Sequence, residues 1–296
     1  MTTFADDRTS GASDVALAFL AEIERRLAVD MSGSAPAFRA ALLGWLRDGQ
    51  RAQPTMALIH QLAARALEVT DAGLARGDRP AGIRHALALS CEAERNDLVQ
   101  ALGAVAQQAA ALVTERGGWI ATLSSSGAVR DAVIEAHGAG REPRVLVAES
   151  RPLNEGRAMA ATLAAAGVPV WLVVDAALPL LLSQARMVWL GADAVTDQGV
   201  VNKIGSYAAA LAAREHSVPV YALAGRRKFL PAATGALEIL EMPADEVWDS
   251  PAAGVRPRNV YFERVPLALL RGVVVEDAVL PPGEAAALAR ERPLPG

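Results

Sequence analysis

The segment from Trp189 to Ser206, WLGADAVTDQGVVNKIGS, holds an acid, an amide and an ammonium within one short stretch. An apolar run ends at Asp193, a polar turn with one glycine follows, and the pair Asn202-Lys203 opens an alanine-rich helix pattern. A carboxylate at the carboxyl end of a strand, facing amide and ammonium donors at a helix start, suits a small anionic ligand. Sheets of alternating strands and helices bind ligands at that edge, and helix N-termini favour phosphate. Burial at such an edge raises a carboxyl pKa and fits Asp193 for proton transfer. The plainer alternative is an acid that caps the next turn. Lys203 suits phosphate as a point charge, or is a solvated lysine.

Other turns carry weaker signals of the same kind. Ser124-Ser125-Ser126-Gly127 enters a helix pattern and offers hydroxyls and backbone N–H groups to phosphate or sugar hydroxyls; alternatively it is an ordinary N-cap. In Glu149-Ser150-Arg151-Pro152, Arg151 has the fork geometry to grip phosphate bidentately, or is a surface arginine. Gly225-Arg226-Arg227-Lys228-Phe229 sets three adjacent cations after a buried run in an acidic protein, either as a ligand cup or as a solvated cluster. Each signal is weak alone. Together they bring Ser, Arg, Asp, Asn and two Lys to one sheet edge, a set that fits a phosphorylated polyol better than a dinucleotide.

The elements that would position these residues fall into two halves. Apolar spacing of three and four predicts helices over Val15–Arg26, Ala37–Arg47, Thr55–Val69, Gly82–Arg95 and Leu98–Glu115. Residues 1–12 read as disordered and 13–116 as a helical domain. After Gly117-Gly118, strands are expected at Trp119–Leu123, Arg144–Ala148, Val168–Val174, Met187–Leu190 and Val218–Leu223. Helices at Gly127–His137, Glu155–Ala166, Pro179–Ala185 and Val201–His216 alternate with them. This alternation implies an α/β fold with a doubly wound, mainly parallel sheet over 117–296. Right-handed crossovers place its strand-to-helix turns along one edge. Asn259–Arg264 and Gly272–Val279 read as strands or extended arms at the rim, and the last dozen residues as a surface tail.

Composition excludes several classes. The chain has 296 residues, 52% hydrophobic, with a formal charge of −4, which argues against broad nucleic-acid binding. One cysteine, Cys91, permits no internal disulfide. The polar N-terminus lacks a signal-peptide core, and no apolar run is long enough for a membrane helix. A soluble cytoplasmic protein is expected. No G-x-G-x-x-G follows the first strand, no Walker A or G-x-S-x-G motif occurs, and the four histidines lack metal-ligand spacing. No metal site and no cofactor are expected.

GADAVTDQGVVNKIGS (191–206), ESRPLNEGR (149–157), RKFLP (227–231) and VYFERVPLALLRGVVVEDAVLPP (260–282), with the weaker TLSSSG (122–127) and RAQPTMAL (51–58), occur in one order. That ordered set resembles the superfamily of methylthioribose-1-phosphate isomerase, ribose-1,5-bisphosphate isomerase and the alpha, beta and delta subunits of translation initiation factor 2B. The resemblance implies a helical N-terminal domain on a Rossmann-like C-terminal domain, and a homodimer or higher homo-oligomer. In the isomerases, an aldose 1-phosphate becomes a ketose phosphate through proton transfer, without metal or nicotinamide. The family aspartate falls on Asp193, the substrate-holding Asn-Lys pair on Asn202 and Lys203, and a further lysine on Lys228. The N-terminal phosphate segment resembles Arg51-Ala52-Gln53-Pro54, and a second substrate arginine falls on Arg95. Ser126, Gly127 and Ala128 would hold sugar hydroxyls, and Arg151 phosphate.

The departures bear on function. The family's catalytic cysteine is Ser124 here, and a hydroxyl is a far weaker base than a lowered-pKa thiol unless another group activates it. Arg51-Ala52-Gln53-Pro54 lacks the usual glycine, and the loop from Asp193 to Asn202 is one residue shorter than in the isomerases. The expected function is a sugar-phosphate aldose–ketose isomerase-like protein, with Asp193 and Ser124 as its acid–base pair. The alternative is a non-catalytic regulatory protein binding a sugar phosphate or nucleotide. A third possibility is a paralogue that binds nothing of note.

Overall fold

The computed structural model describes residues 4–30, 32–114, 117–231 and 237–292. Four helices come first: α1 (Ala12–Val29), α2 (Ala35–Ala52), α3 (Ala57–Ala75) and α4 (Pro80–Ala111). The Ser34 hydroxyl caps α2, accepting from the Ala37 N–H at 3.3 Å, as N-caps do. Phe19, Leu20, Ile23, Leu46, Ile59, Ile83 and Leu87 fill the space between these helices. The two helices expected over 82–115 are one. Only Asn96-Asp97 separates the two patterns, and such residues lower helix propensity by a few tenths of a kcal/mol without breaking it. The predicted end at Glu115 lies outside the described residues.

The expected disorder of residues 1–12 does not hold over residues 4–11. Phe4 is buried and meets Phe19 and Trp45 edge-on, with ring centroids 4.9 and 5.8 Å apart. One aromatic anchor in a polar arm is enough to dock it. Residues 1–3 lie outside the described part.

The second half alternates as predicted: β1 (Trp119–Leu123), α5 (Gly127–Gly138), β2 (Arg144–Ala148), α6 (Glu155–Ala165), β3 (Val170–Val173), α7 (Leu178–Leu181) and β4 (Ala185–Leu190). Then come β5 (Ala194–Thr196), β6 (Gly199–Lys203), α8 (Ser206–Glu215), β7 (Val220–Leu223), β8 (Phe262–Val265), β9 (Gly272–Val274), β10 (Val279–Leu280) and α9 (Pro282–Glu291). Seven strands form a sheet of order β10-β9-β7-β4-β1-β2-β3, parallel except for the β10–β9 pair. Apolar side chains cover both faces, as a parallel sheet requires.

Two expectations fail here. Val201–His216 is not one helix: its start is β6, which pairs antiparallel with β5 and β8 in a small second sheet. Val200 and Val201 are β-branched and pack better on a pleated surface. Gly199 forms the hairpin corner at φ 155°, where a Cβ would meet Val265 O at 2.5 Å. Only after Gly205, at φ 99°, does α8 begin. The predicted surface tail is mostly α9, which buries Ala285 and Ala289 against the sheet; residues 293–296 lie outside the described part. Among the described residues no helix is long and apolar enough to cross a membrane.

Candidate active site

From β1 the chain runs outward through β2 and β3 on one side, and through β4, β7 and β9 on the other. The reversal between β1 and β4 opens a crevice at their carboxyl ends, where such sheets bind ligands. A cavity of about 330 Å³ lies there. Its walls include Ala52, Gln53, Pro54, Ser124, Ser126, Gly127, Asp193, Asn202, Lys203 and Lys228. Segments far apart in the chain thus meet at one rim.

Asp193 follows β4 and is buried. Its backbone is fixed on two sides: its N–H donates to Val201 O at 2.8 Å, and its carbonyl accepts from Ala57 N–H at 3.0 Å. Burial pushes its carboxyl up to about 6, against the pull of Lys228 and Lys203. Lys228 is also buried; desolvation lowers its pKa, opposed by Asp193. Its ammonium donates to Ala192 O at 2.7 Å. The chain beyond it is pinned to β5 through Leu230 N–H to Val195 O at 2.9 Å. Burial thus pushes this acid and this base toward their neutral forms, a condition that favours proton transfer.

Asn202 and Lys203 end β6 rather than opening a helix, so the antiparallel pairing to β8 aims them, not a helix N-terminus. Asn202 Nδ2 donates to Ser206 Oγ at 2.9 Å. Lys203 Nζ donates to Glu155 Oε1 at 2.5 Å and lies 4.3 Å over the Tyr261 ring centroid. Glu155 and Lys203 are both almost fully buried. Burial raises the Glu155 carboxyl even beside Lys203, and its second oxygen has no hydrogen-bond partner. Gly156 seats Glu155, for a Cβ at 156 would stand 1.9 Å from Ala148 O. Gly191 plays a similar part: a Cβ there would meet Ser126 Oγ at 2.8 Å and Asn202 Oδ1 at 3.2 Å.

Ser124 turns the chain out of β1 at φ 63°, a left-handed conformation rare for residues other than glycine. Its N–H donates to Ser150 Oγ at 2.7 Å, and Ser150 N–H in turn donates to Asp175 Oδ1 at 2.7 Å. Ser126 is both wall and cap, accepting from Val129 N–H at 3.5 Å.

Four predicted residues lie off the cavity wall. Arg51 is exposed and pairs with Asp48 at 3.3 Å. Arg95 pairs with Glu24 at 2.6 Å. Arg151 donates to Val247 O at 3.3 Å. Ala128 packs into the core beside α4. In each arginine a nearer acceptor holds the guanidinium outward. The neighbouring Arg226 and Arg227 are likewise engaged by Asp277 and Glu94, which leaves Lys228 as the inward cation of that trio. Cavity residues not anticipated are Arg8, Ser13, Glu155 and Tyr261. The glycine after Glu155 was a usable signal; an arm anchored by one phenylalanine was not. Among the described residues no cluster of three or more His, Cys, Asp or Glu side chains could hold a metal.

Residues 11–282 match the model of the initiation factor 2 subunit family. A methylthioribose-1-phosphate isomerase of Gemmatimonas aurantiaca is 33% identical over 286 residues, covering 92% of this chain and 81% of that protein. A ribose 1,5-bisphosphate isomerase of Methanocaldococcus jannaschii is 34% identical over 171 residues, 56% of each chain. A Pyrococcus horikoshii translation initiation factor eIF-2B structure superposes with a TM-score of 0.79 at 25% identity, covering 94% of both chains.

Proposed function

Because the chain belongs to the initiation factor 2 subunit family, we propose that its cavity binds a phosphorylated sugar and that Asp193 moves a proton in an aldose-to-ketose isomerisation. The observation that carries this reading is Asp193 itself: a buried carboxyl with its pKa pushed up to about 6, on the wall of a cavity it shares with two lysines. Such an acid is half-ionised near pH 6, close enough to neutrality for one group both to take and to return a proton. The ring C1–O bond breaks and its oxygen takes a proton, hydrogen moves from C2 to C1, and O2 gives up its proton as the C2 carbonyl forms, so the product is an isomer and no electron acceptor is required.

Asn202 and the N–H groups of the Ser125–Gly127 turn hold hydroxyls and phosphate, Lys203 and Lys228 supply charge, and the Ser124 hydroxyl positions a sugar oxygen. Identity with two isomerases supports the substrate class. We further infer a homodimer in the cytoplasm; the half-exposed Trp171 and Leu172 of edge strand β3, with Val174 just after it, supply an apolar edge for it.

The test is incubation with ribose 1,5-bisphosphate and with 5-methylthioribose 1-phosphate, followed by NMR for ketose. Turnover lost in Asp193→Asn supports the reading; an Asp193→Asn protein as active as wild type refutes it. A second reading, a non-catalytic sensor, is favoured by Ser124, which has no histidine among the described cavity walls to activate it. Tight binding without conversion identifies that case, and turnover gained in Ser124→Cys shows a pocket that lost its thiol.

A further inference from the structure

The acidic and basic side chains lining the cavity are Asp7, Arg8, Glu155, Asp193, Lys203 and Lys228, three acids and three cations. Lys203 is bound to Glu155, and Lys228 faces Asp193. With these pairs intact the interior carries no surplus positive charge for a phosphate dianion. Arg8 differs. It comes from the arm ahead of the family match, which begins at residue 11, and it is the only arginine on the described cavity wall.

The arm is built into the site. Gln53 Nε2 donates to Phe4 O at 3.0 Å and to Asp7 O at 2.8 Å. The Asp7 carboxylate accepts from Thr9 N–H at 3.1 Å and from Ser10 N–H at 2.9 Å, folding the arm into a turn. Gly11 presses on the Ser124–Gly127 turn, where a Cβ would meet Ser125 O at 2.9 Å. This places the Arg8 side chain, 42% exposed, at the mouth.

Arg8 Nη1 donates to Glu246 Oε1 at 3.2 Å. Glu246 has other partners: its second oxygen accepts from the Tyr261 hydroxyl and from Asn259 Nδ2. Arg8 can leave without stranding a buried carboxylate, and a half-exposed ion pair opposes that little. Tyr261 spans the two cationic ends, with Lys203 over its ring and Arg8 on the carboxylate that takes its hydroxyl.

Resting on the sugar-phosphate reading, we propose that Arg8 is the phosphate-gripping arginine of this protein: it leaves Glu246 for the ligand's phosphate at the cavity mouth, the role that outward-facing Arg51 does not fill. A planar guanidinium suits phosphate bidentately.

The test is calorimetric titration of wild type, Arg8→Gln, Arg8→Lys, Arg51→Gln and Glu246→Gln with ribose 1,5-bisphosphate and 5-methylthioribose 1-phosphate. Arg8→Gln weakens whichever sugar binds by about tenfold or more, the scale of one charge-assisted contact. Arg8→Lys recovers part of the loss, and Glu246→Gln, which frees Arg8, tightens binding. Arg51→Gln stays within about twofold of wild type, as an exposed pair should. Binding that survives Arg8→Gln, or falls as far in Arg51→Gln, overturns the assignment while leaving the sugar-phosphate reading intact. Wild-type protein that binds neither sugar overturns both. Melting temperatures of each variant separate lost contact from lost fold.

Discussion

Asp193→Asn should stabilise this protein at neutral pH, and the gain should vanish in acid. The carboxyl moves from an ordinary 3.8 in the unfolded chain to about 6 in the fold. Below pH 4 it is protonated in both states and contributes nothing. Between pH 4 and 6 the folded state binds the extra proton, so stability falls as pH rises. Above pH 6 the folded protein holds a desolvated carboxylate at a cost of about 3 kcal/mol, at about 1.4 kcal/mol per unit of pKa. The isosteric amide removes that cost. Lys228 keeps its hydrogen bond to Ala192 O at 2.7 Å in the variant, so its ammonium is not left without a partner. Thermal unfolding of both proteins from pH 4.5 to 8.5 should show the variant several degrees more stable at pH 8, at about 2–4 °C per kcal/mol for a domain somewhat smaller than this chain. The difference should close toward pH 4.5. A variant less stable than wild type, by an amount independent of pH, would make Asp193 a structural acid and remove the basis for its proposed proton chemistry.

Two further outcomes follow from the cavity floor. Lys203→Met strips the partner from a buried carboxylate and should destabilise by about 3–5 kcal/mol at pH 8, less at pH 5 because Glu155, already raised by burial, protonates; the double variant with Glu155→Gln should recover most of the loss in urea unfolding. Gly156→Ala places a Cβ 1.9 Å from a backbone carbonyl and should unfold or severely destabilise the protein, whereas Gly283→Ala, with nothing within 4 Å of its new Cβ, should leave the unfolding free energy in urea within about 0.5 kcal/mol of wild type.

How far the sequence speaks depends on how local the deciding contact is. Strands β1 and β2 are legible to the residue because their apolar, β-branched runs begin directly after Gly118 and Pro143 and end at polar turns. The edge on which the cavity lies is legible as well, since alternation of strand and helix implies a parallel sheet with its turns on one side; the reversal between β1 and β4 is not, because strand order is set by distant pairing. The β5–β6 hairpin is not. Two valines and a glycine compete there with an alanine-rich continuation, and only pairing with β8, 59 or more residues later along the chain, decides the outcome. The arginines fail for a related reason. Arg51, Arg95 and Arg151 each find an acceptor outside the cavity, and sequence carries no account of which acceptor wins.

The same logic explains why the site tolerates so much buried charge. An isolated ion in this interior would be expelled or neutralised. Here each lysine faces a carboxylate, and desolvation pushes Asp193, Glu155 and Lys228 toward neutrality. The arrangement is a poor way to stabilise a fold, since apolar residues of similar volume would serve as well or better. It is a good way to keep protons mobile among groups that a ligand can reach. Gly191 and Gly156 hold the backbone close enough for that arrangement, and neither position admits a side chain without displacing Ser126 or the end of β2. Backbone that close, around charges that a fold alone would do better without, fits the proposed site for a bound anion and a moving proton.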